Sequence, residues 1–315
     1  MKYQRLGKTP YLVSRICLGV LTMGPLCANL SIEKGAQVIK KALACGINFF
    51  DTAEYYETYP YLKEGLKGWD QEVIIASKSY AETVNGLARA VEDARIALDR
   101  ERIEIFLLHE QRSGEAVKNN LPLLEYLHTI KARGLVGAVG ISTHDVSATE
   151  VAAQLPEVEV IHPMFNKAGV GIQGGGLKEM TEAIKLAEQN GKGIYGMKAI
   201  GGGSLMKQAR TMLEWTFNQD FLHSVAIGMK DELEVATNVG WLAGENPPEE
   251  KQLSLVERNL VVEKYDLCTA CGECVKACHQ GALKIENFEA TWEKSKCLYC
   301  GYCIPACERF CLSFA

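Results

Sequence analysis

The sequence predicts an α/β protein in which a (β/α)8 barrel of the TIM type precedes a small cysteine-rich α+β domain. Two observations support this prediction. Short apolar runs alternate with amphipathic segments through the first 245 residues, and nine of the twelve cysteines lie in residues 268–315. Alternating strands and helices are typical of parallel β/α folds. Cysteines at this density in a chain without a secretory signal indicate metal or cluster ligation rather than disulfides.

Eight apolar runs have the length of buried strands, and they are residues 16–20, 47–51, 73–78, 105–109, 136–142, 158–162, 193–198 and 224–228. Six segments between them have helical periodicity, and they are residues 32–44, 84–98, 121–133, 146–154, 177–189 and 211–218. Eight strands in this length match a TIM barrel, whose active site gathers at the C-terminal ends of the strands. A doubly wound open sheet is the alternative.

Charge and hydropathy exclude several classes of function. The 315 residues include 34 basic and 39 acidic side chains, for a net charge of −5. Like charges are not clustered, which argues against a nucleic-acid partner. The apolar runs are far shorter than the roughly 18 residues needed to cross a bilayer. The N-terminus lacks the apolar stretch of a secretory signal, so we expect a cytoplasmic protein without a membrane partner.

The C-terminal cysteines form a repeated motif of spacing C-x2-C-x2-C-x3-C. The first copy is Cys268, Cys271, Cys274 and Cys278, and the second, 29 residues later, is Cys297, Cys300, Cys303 and Cys307. The repeat resembles the bacterial two-cluster ferredoxin, in which three cysteines of one motif and the fourth of the other hold each 4Fe-4S cluster. The resemblance implies a ferredoxin-like domain with two 4Fe-4S clusters, in which Cys307 completes the first ligand set and Cys278 the second. Zinc ribbons also contain C-x2-C pairs, but two runs of four cysteines favour iron-sulfur clusters.

Polar residues stand at the ends of four predicted strands. They are Asp51, Lys78, His109 and Ser142. The C-terminal ends of barrel strands meet at one rim, so we expect these side chains to converge. Taken singly, a strand-end aspartate is more often a helix cap and a histidine more often a structural residue.

The segments around these residues resemble the aldo-keto reductases. Residues 51–56 (DTAEYY), 76–78 (ASK), 107–109 (LLH) and 140–142 (GIS) are similar to family motifs and follow the family's order. The resemblance implies the family's tetrad Asp51, Tyr56, Lys78 and His109, which interconverts a small-molecule carbonyl and an alcohol. In this chemistry Tyr56 donates a proton to the carbonyl oxygen. Lys78 is expected to lower the pKa of that tyrosine, with Asp51 holding Lys78 and His109 orienting the carbonyl.

The resemblance also implies a nicotinamide cofactor. Its expected contacts are Ser142, Thr143, His162 and Asn166 near the nicotinamide, and Lys230 and Asn238 near the adenosine phosphate. Ala236 occupies the position expected to carry the family's arginine, and Asp231, Glu232 and Glu234 add negative charge nearby. NADH is therefore favoured over NADPH.

The polar, proline-rich stretch 244–251 marks a domain boundary. We expect a barrel over residues 1–245, a linker and short helix over 246–262, with helical character across 252–265, and the cluster domain over 263–315. Gly169, Gly171 and Gly174 form a G-x-G-x-x-G motif, but no acidic residue ends the next strand. A loop at the barrel rim is favoured there over a dinucleotide fingerprint.

The two halves together suggest an anaerobic oxidoreductase whose clusters transfer electrons. Nicotinamide passes electrons in pairs and clusters pass them singly, so direct exchange requires a flavin or an unusual substrate. A redox protein is then a candidate partner. Two alternatives stay open: a plain reductase with structural or redox-sensing clusters, and an electron carrier whose barrel is a docking scaffold.

Overall fold

The computed structural model describes most of the barrel and part of the C-terminal domain. The described residues are 1–203, 205–245, 260–262, 268–278, 281–293, 296–297, 303–304, 306–307, 309 and 311–314.

An antiparallel hairpin of β1 (Tyr3–Arg5) and β2 (Leu12–Ser14) opens the chain. Leu6 and Tyr11, in the loop of this hairpin, are buried with the inward-facing side chains of the barrel strands. The hairpin therefore fills one end of the barrel interior.

The eight predicted strands hydrogen-bond in a closed parallel barrel. They are β3 (Ile16–Gly19), β4 (Phe49–Asp51), β5 (Ile74–Ser79), β6 (Ile103–Leu108), β7 (Val136–Thr143), β8 (Val160–Pro163), β9 (Gly193–Gly196) and β10 (Ser224–Gly228). The barrel closes where β10 pairs with β3, with Val225 opposite Ile16. The prediction of a TIM barrel is confirmed, and the open sheet is wrong.

Nine described helices surround the strands. They are α1 (Ile32–Ala44), α2 (Tyr59–Leu66), α3 (Val84–Leu98), α4 (Gly114–Asn119), α5 (Leu121–Ala132), α6 (Val146–Gln154), α7 (Leu177–Gln189), α8 (Ala209–Phe217) and α9 (Glu232–Ala243). The six predicted helices are all present. Side-chain oxygens of Ser31, Thr83 and Asp145 cap three of them at their N-termini.

The apolar side chains form two layers around the barrel sheet. A large layer lies between the strands and the helices, and a smaller one fills the barrel interior. The loop containing Gly169, Gly171 and Gly174 follows β8, and these residues have φ values of 65°, 80° and 67°. Glycine adopts this left-handed region without strain, and the motif is a loop as predicted.

The described part of the C-terminal domain contains two small antiparallel sheets and a short helix. Strand β11 (Leu260–Val262) pairs with the last strand, β14 (Leu312–Phe314). Between them lie α10 (Glu273–Lys276) and the hairpin of β12 (Leu283–Glu286) and β13 (Glu289–Trp292). The helix expected over 252–265 is wrong at residues 260–262, where an apolar segment rich in valine pairs as a strand. The rest of that segment lies outside the described residues.

Among the described residues, no helix combines the length and the apolar character needed to cross a membrane.

Replacing Gly140 by alanine should destabilise the barrel, because a Cβ there would lie 1.8 Å from the carbonyl oxygen of Val160 in the adjacent strand. We expect a loss of about 3 kcal/mol in the free energy of unfolding, the upper range for overpacking. Urea titration measures it. Gly19→Ala is the matched control, because its Cβ would meet its nearest neighbour at an ordinary 3.6 Å. Equal midpoints for the two variants would contradict the close approach of β7 and β8.

Candidate active site

Four polar side chains reach the C-terminal rim of the barrel from consecutive strands. Asp51 ends β4 and Lys78 lies near the end of β5, while His109 follows β6 directly. Tyr56 ends a single 3-10 turn, Glu54–Tyr56, that follows β4. The strands are parallel neighbours in the barrel, so these side chains meet at one place.

The Lys78 ammonium is buried and has an acceptor for each of its three protons. Its Nζ lies 2.8 Å and 2.9 Å from the two carboxylate oxygens of Asp51, and 2.6 Å from the carbonyl oxygen of Thr52. Only 1% of the Lys78 side chain and 7% of the Asp51 side chain are exposed. A buried ion pair tolerates its loss of hydration only when its charges are hydrogen-bonded in this way. Asp51 therefore holds Lys78, as the resemblance implies.

A buried tyrosine that is absent from the sequence predictions also contacts the Asp51 carboxylate. The Tyr195 hydroxyl in β9 donates to Asp51 Oδ2 at 3.0 Å. Its ring stacks on the His162 imidazole with centroids 3.8 Å apart, and its carbonyl oxygen accepts from His162 Nδ1 at 2.6 Å. Burial lowers the pKa of His162 to about 4, so this ring is neutral near pH 7. The only sequence signal for Tyr195 is its place in a predicted barrel strand.

Tyr56 and His109 present their polar atoms to each other. The Tyr56 hydroxyl oxygen lies 3.3 Å from His109 Nε2. Lys78 instead lies over the Tyr56 ring, with Nζ 4.9 Å from the centroid, and its hydrogen bonds go to other groups. A cation at this position is attracted by the π face of the ring.

The net shift of the Tyr56 pKa is upward, although the sequence predicts a lowering effect of Lys78. Burial raises the pKa of Tyr56 well above its usual value, and the negative charges of Asp51 and Glu110 raise it further. Lys78 does not reverse this shift, because Asp51 neutralises its charge at hydrogen-bonding distance. Tyr56 therefore keeps its proton at neutral pH, which suits a proton donor.

His109 is neutral and is packed against a tyrosine that the sequence predictions also missed. Burial lowers the pKa of His109 well below its usual value, and the charge of Lys78 lowers it further. Tyr80 stacks on the imidazole with centroids 4.1 Å apart, and its hydroxyl donates to Glu110 at 2.7 Å. Glu110 adopts a left-handed φ of 46°, and its N–H donates to the Ser142 hydroxyl. The only sequence signal for Tyr80 and Glu110 is their proximity to motif residues.

The four side chains expected to contact nicotinamide are buried. They are Ser142, Thr143, His162 and Asn166, and none is more than 2% exposed. The Thr143 hydroxyl donates its proton to the carbonyl oxygen of Gln111. The Asn166 amide is hydrogen-bonded to both main-chain groups of Val170, in its own loop. A carboxamide could bind Thr143 or Asn166 only by replacing these hydrogen bonds. Ser142 differs, because in the described hydrogen bonds its hydroxyl acts as an acceptor.

Carboxylates already occupy the N-terminus of α9, where the resemblance places the adenosine phosphate. Asp231 accepts from the N–H of Glu234 at 2.7 Å, and the Glu234 carboxylate accepts from the N–H of Lys230 at 2.8 Å. Asn238 is buried further along the helix. Helix N-termini attract phosphate through free N–H groups, and here a carboxylate satisfies that of Glu234, while another satisfies the N–H of Lys230 just before the helix. Their charge opposes a 2'-phosphate.

The described cysteines of the C-terminal domain lie together in its small core. Cys274, Cys303 and Cys311 are buried there, and three more pack against them: Cys268, Cys278 and Cys307. Burial raises the pKa of the Cys274 thiol, and three other cysteines raise it further: Cys307, Cys271 and Cys268. These three are the partners that the ferredoxin resemblance implies for Cys274. Cys297 is described together with Lys296, and Cys300 lies outside the described residues.

This donor set fits iron-sulfur ligation. The N–H of Ala282 donates to Cys278 Sγ and the N–H of Cys311 donates to Cys307 Sγ, both at 3.3 Å. Hydrogen bonds to ligand sulfurs are one means by which proteins tune cluster potentials. No group of three or more side chains suited to a single metal ion occurs in the part of the domain that is described. A 4Fe-4S cubane does not require one, because each cysteine binds a different iron.

Comparison with known families decides what the barrel is. The model of the aldo/keto reductase family matches residues 15–220, more than half of the chain. The chain belongs to the aldo/keto reductase family. Its residues 260–308 match the 4Fe-4S dicluster domain.

Similar proteins include reductases and a dehydrogenase. The methylglyoxal reductase DkgA of Escherichia coli O157:H7 is 23% identical over 180 residues, which are 54% of this chain and 64% of that protein. The chloroplastic pyridoxal reductase of Arabidopsis thaliana is 35% identical over 127 residues, 34% of each chain. The L-galactose dehydrogenase of the same plant is 23% identical over 66% of this chain and 68% of its own length. The matches thus span less than two thirds of the first two relatives.

Solved structures of aldo/keto reductases superpose on the barrel. A Pseudomonas aeruginosa protein assigned to the family has a TM-score of 0.66 at 25% identity, covering 77% of this chain and 94% of its own. The holo form of a Bacillus halodurans aldo-keto reductase has the same TM-score at 18% identity, covering 79% and 93%. Glu57 stands where the family usually has glycine, and its left-handed φ of 54° explains that usual choice.

Replacing His162 by glutamine, the residue usual in aldo/keto reductases, should make stability less sensitive to acid. The folded protein keeps His162 neutral down to about pH 4, whereas an unfolded chain protonates histidine near pH 6.5. The unfolded state therefore binds more protons between these values. The histidine should contribute a fall in unfolding free energy of about 1.4 kcal/mol per pH unit as pH drops through this window. Urea titrations from about pH 7 to pH 4 compare the two proteins, and parallel curves would contradict a neutral His162.

Anaerobically reconstituted protein should contain about eight iron and eight sulfide per chain, since each motif and its partner cysteine would hold one 4Fe-4S cluster. Chemical analysis of iron and sulfide measures the content. Cys307→Ser should lower it, whereas Cys311→Ser should leave it unchanged, because Cys311 is buried but lies outside the repeat. Bound zinc, or half the iron in the unmodified chain, would refute the two-cluster prediction.

Proposed function

We propose that the chain interconverts a small-molecule carbonyl and an alcohol, and that two 4Fe-4S clusters transfer electrons in this reaction. The observation that carries the proposal is the Tyr56 hydroxyl, 3.3 Å from His109 Nε2 at the rim of an aldo/keto reductase barrel. The similar proteins support it, since their names cover carbonyl reduction and sugar oxidation.

A carbonyl oxygen bound beside the contact of Tyr56 Oη with His109 Nε2 can accept hydrogen bonds from both groups. As electrons reach the carbonyl carbon, negative charge develops on the oxygen, and these donors stabilise it. Tyr56 then transfers its proton to the oxygen. An alkoxide is more basic than a phenolate, so the raised pKa of Tyr56 does not prevent this step. Oxidation of an alcohol would require the deprotonated phenol, so the raised pKa favours the reducing direction at neutral pH.

Lys78 and Asp51 affect this chemistry by fixing the position of the Tyr56 ring. The ion pair places a positive charge under the Tyr56 ring and a negative charge next to it. Tyr195 and the carbonyl of Thr52 hold that pair from two sides. The phenol is thus fixed relative to His109, which reduces the reorganisation needed when the carbonyl binds.

The resemblance predicts a nicotinamide nucleotide, NADH rather than NADPH, which supplies a hydride to a carbonyl carbon when bound. The side chains that would hold it are Ser142, Thr143, His162 and Asn166, with Lys230 and Asn238 at the phosphate end. These residues fit the group poorly, because the four near the nicotinamide are buried and all four are hydrogen-bonded within the protein. The proton transfer described above does not depend on this cofactor.

Tyr56→Phe should lower the turnover of a carbonyl substrate such as pyridoxal by about 100-fold or more, the lower range of general acid catalysis. Steady-state kinetics on cluster-loaded protein measure the loss. Tyr55→Phe is the matched control, because it removes the neighbouring hydroxyl, and its effect should be small. A large loss in the Tyr55 variant with none in the Tyr56 variant would show that the tyrosine register is wrong.

NADPH should bind more weakly than NADH to the cluster-loaded protein, because its extra phosphate meets the carboxylates at the start of α9. Isothermal titration with both nucleotides measures the difference. Ala236→Arg adds an exposed cation on this helix and should narrow the gap by about 1 kcal/mol. Tighter binding of NADPH would contradict the charge argument, and binding of neither nucleotide would contradict nicotinamide dependence itself.

A further inference from the structure

The imidazole of His109 is hydrogen-bonded at one of its two nitrogens. Its Nε2 lies 3.3 Å from the Tyr56 hydroxyl, whereas its buried Nδ1 has no hydrogen-bond partner among the described residues. In a histidine that acts through one nitrogen, a hydrogen bond at the other usually holds the ring. No such bond limits the rotation of the His109 ring at Nδ1, so packing has to limit it.

The Tyr80 ring supplies this packing. It stacks on the imidazole with an interplanar angle of 20° and centroids 4.1 Å apart. Tyr80 is 40% exposed and His109 only 8%, so the phenol ring lies between the imidazole and solvent. An imidazole stacked in this way cannot turn about its Cβ–Cγ bond without pressing its edge into the phenol ring. The stack therefore fixes the plane of the imidazole.

Glu110 fixes the Tyr80 ring in turn. The Tyr80 hydroxyl donates to Glu110 Oε2 at 2.7 Å, which is a charge-assisted hydrogen bond. The other carboxylate oxygen, Oε1, faces His144 Nδ1 at 3.7 Å and Arg112 Nε at 4.0 Å. The Glu110 side chain is 14% exposed. The two oxygens thus face different groups, and Oε2 is the one that holds Tyr80.

The backbone places Glu110 for this contact. The residue follows His109 directly, and its φ of 46° lies in the left-handed region that residues other than glycine, asparagine and aspartate rarely adopt. Its N–H donates to the Ser142 hydroxyl at 2.8 Å, which ties the turn to the end of β7. Such a backbone outlier at a reaction site indicates that the side chain has a role in function.

We propose that Glu110 and Tyr80 are positioning residues, which hold the His109 imidazole at the angle from which Nε2 donates to the substrate carbonyl. The Glu110 carboxylate holds the Tyr80 hydroxyl, and the Tyr80 ring holds the His109 ring. The proposal rests on the carbonyl reduction proposed above and adds two residues to its machinery.

An error in the orientation of His109 affects the transition state more than the bound substrate. The carbonyl oxygen gains negative charge only as its carbon is reduced, and a misdirected donor stabilises that charge less. An interaction made in the transition state changes kcat, whereas uniform binding changes KM. Loss of the positioning contacts should therefore lower kcat and leave KM nearly unchanged. Loss of a side chain that only bound the substrate would raise KM.

Steady-state kinetics of pyridoxal reduction by cluster-loaded protein test the proposal, with the reductant held constant. Tyr80→Leu removes the ring and Glu110→Ala removes the acceptor, and each should lower kcat by about tenfold, equivalent to 1.36 kcal/mol of barrier. Glu110→Gln keeps an acceptor oxygen and should recover most of this loss. Arg112→Met is the matched control, because it removes a cation beside the same carboxylate but leaves the hydrogen bond to Tyr80. Its kcat should equal that of the unmodified protein.

A double-mutant cycle shows whether the two residues act through His109. In a His109→Ala background, Tyr80→Leu and Glu110→Ala should have no further effect on kcat, because the ring that they position is gone. Additive losses would overturn the proposal, and so would a rise in KM at constant kcat. Equal losses in Glu110→Gln and Glu110→Ala would show that the acceptor oxygen does not hold Tyr80.

Chemical modification tests the packing without any substrate. Diethyl pyrocarbonate modifies accessible neutral imidazoles, and mass spectrometry of peptides locates the product. His109 should react several-fold faster in Tyr80→Leu than in the unmodified protein, while half-buried His128, on α5, should react equally in both and so confirm an intact fold. Equal rates at His109 would overturn the proposed stack. Failure of the proposed function is distinguishable, because Tyr56→Phe would then leave carbonyl turnover unchanged, whereas these modification rates require no turnover.

Discussion

The buried ion pair between Lys78 and Asp51 is the constraint on which the rim depends. A buried ammonium is stable only when its protons all have acceptors. Lys78 finds two on Asp51 and one on the carbonyl of Thr52, and Asp51 takes a further hydrogen bond from Tyr195. These contacts join β4, β5 and β9. If the barrel closed with other distances between these strands, a buried charged group would lose a hydrogen-bonding partner.

Burial is the main influence on the protonation of the pair's neighbours. An unpaired ammonium beside a phenol would stabilise the phenolate and lower the pKa of the phenol. When a carboxylate neutralises the ammonium, burial has the larger effect on that pKa and raises it. Tyr56 consequently keeps its proton, and His109 stays neutral. Both can donate a hydrogen bond to one carbonyl oxygen. The site thus supplies neutral donors in a place of low dielectric, where hydrogen bonds to developing charge are strong.

The sequence predicts most of the fold and the rim residues that end strands, because both follow from apolar periodicity. Helix α2 was missed because Pro60 and its tyrosines obscure the apolar stripe, and α4 is too short to show one. Tyr195 and Tyr80 were missed because their partners lie on other strands and loops, and residue spacing does not encode such contacts. Residue spacing does not encode the upward shift of the Tyr56 pKa either, since burial is its largest cause.

The charge that develops on a carbonyl during reduction explains why a proton donor belongs at the barrel rim. Each electron that reaches a carbonyl in a buried site adds a charge whose energy rises as the dielectric falls. The Lys78–Asp51 pair cannot offset that charge, because it is already neutral overall. Proton transfer from Tyr56 removes the charge where it forms, at an oxygen bound beside the 3.3 Å contact of Tyr56 with His109. Hydrogen bonding by His109 and proton delivery from Tyr56 therefore require the same short contact between these two residues.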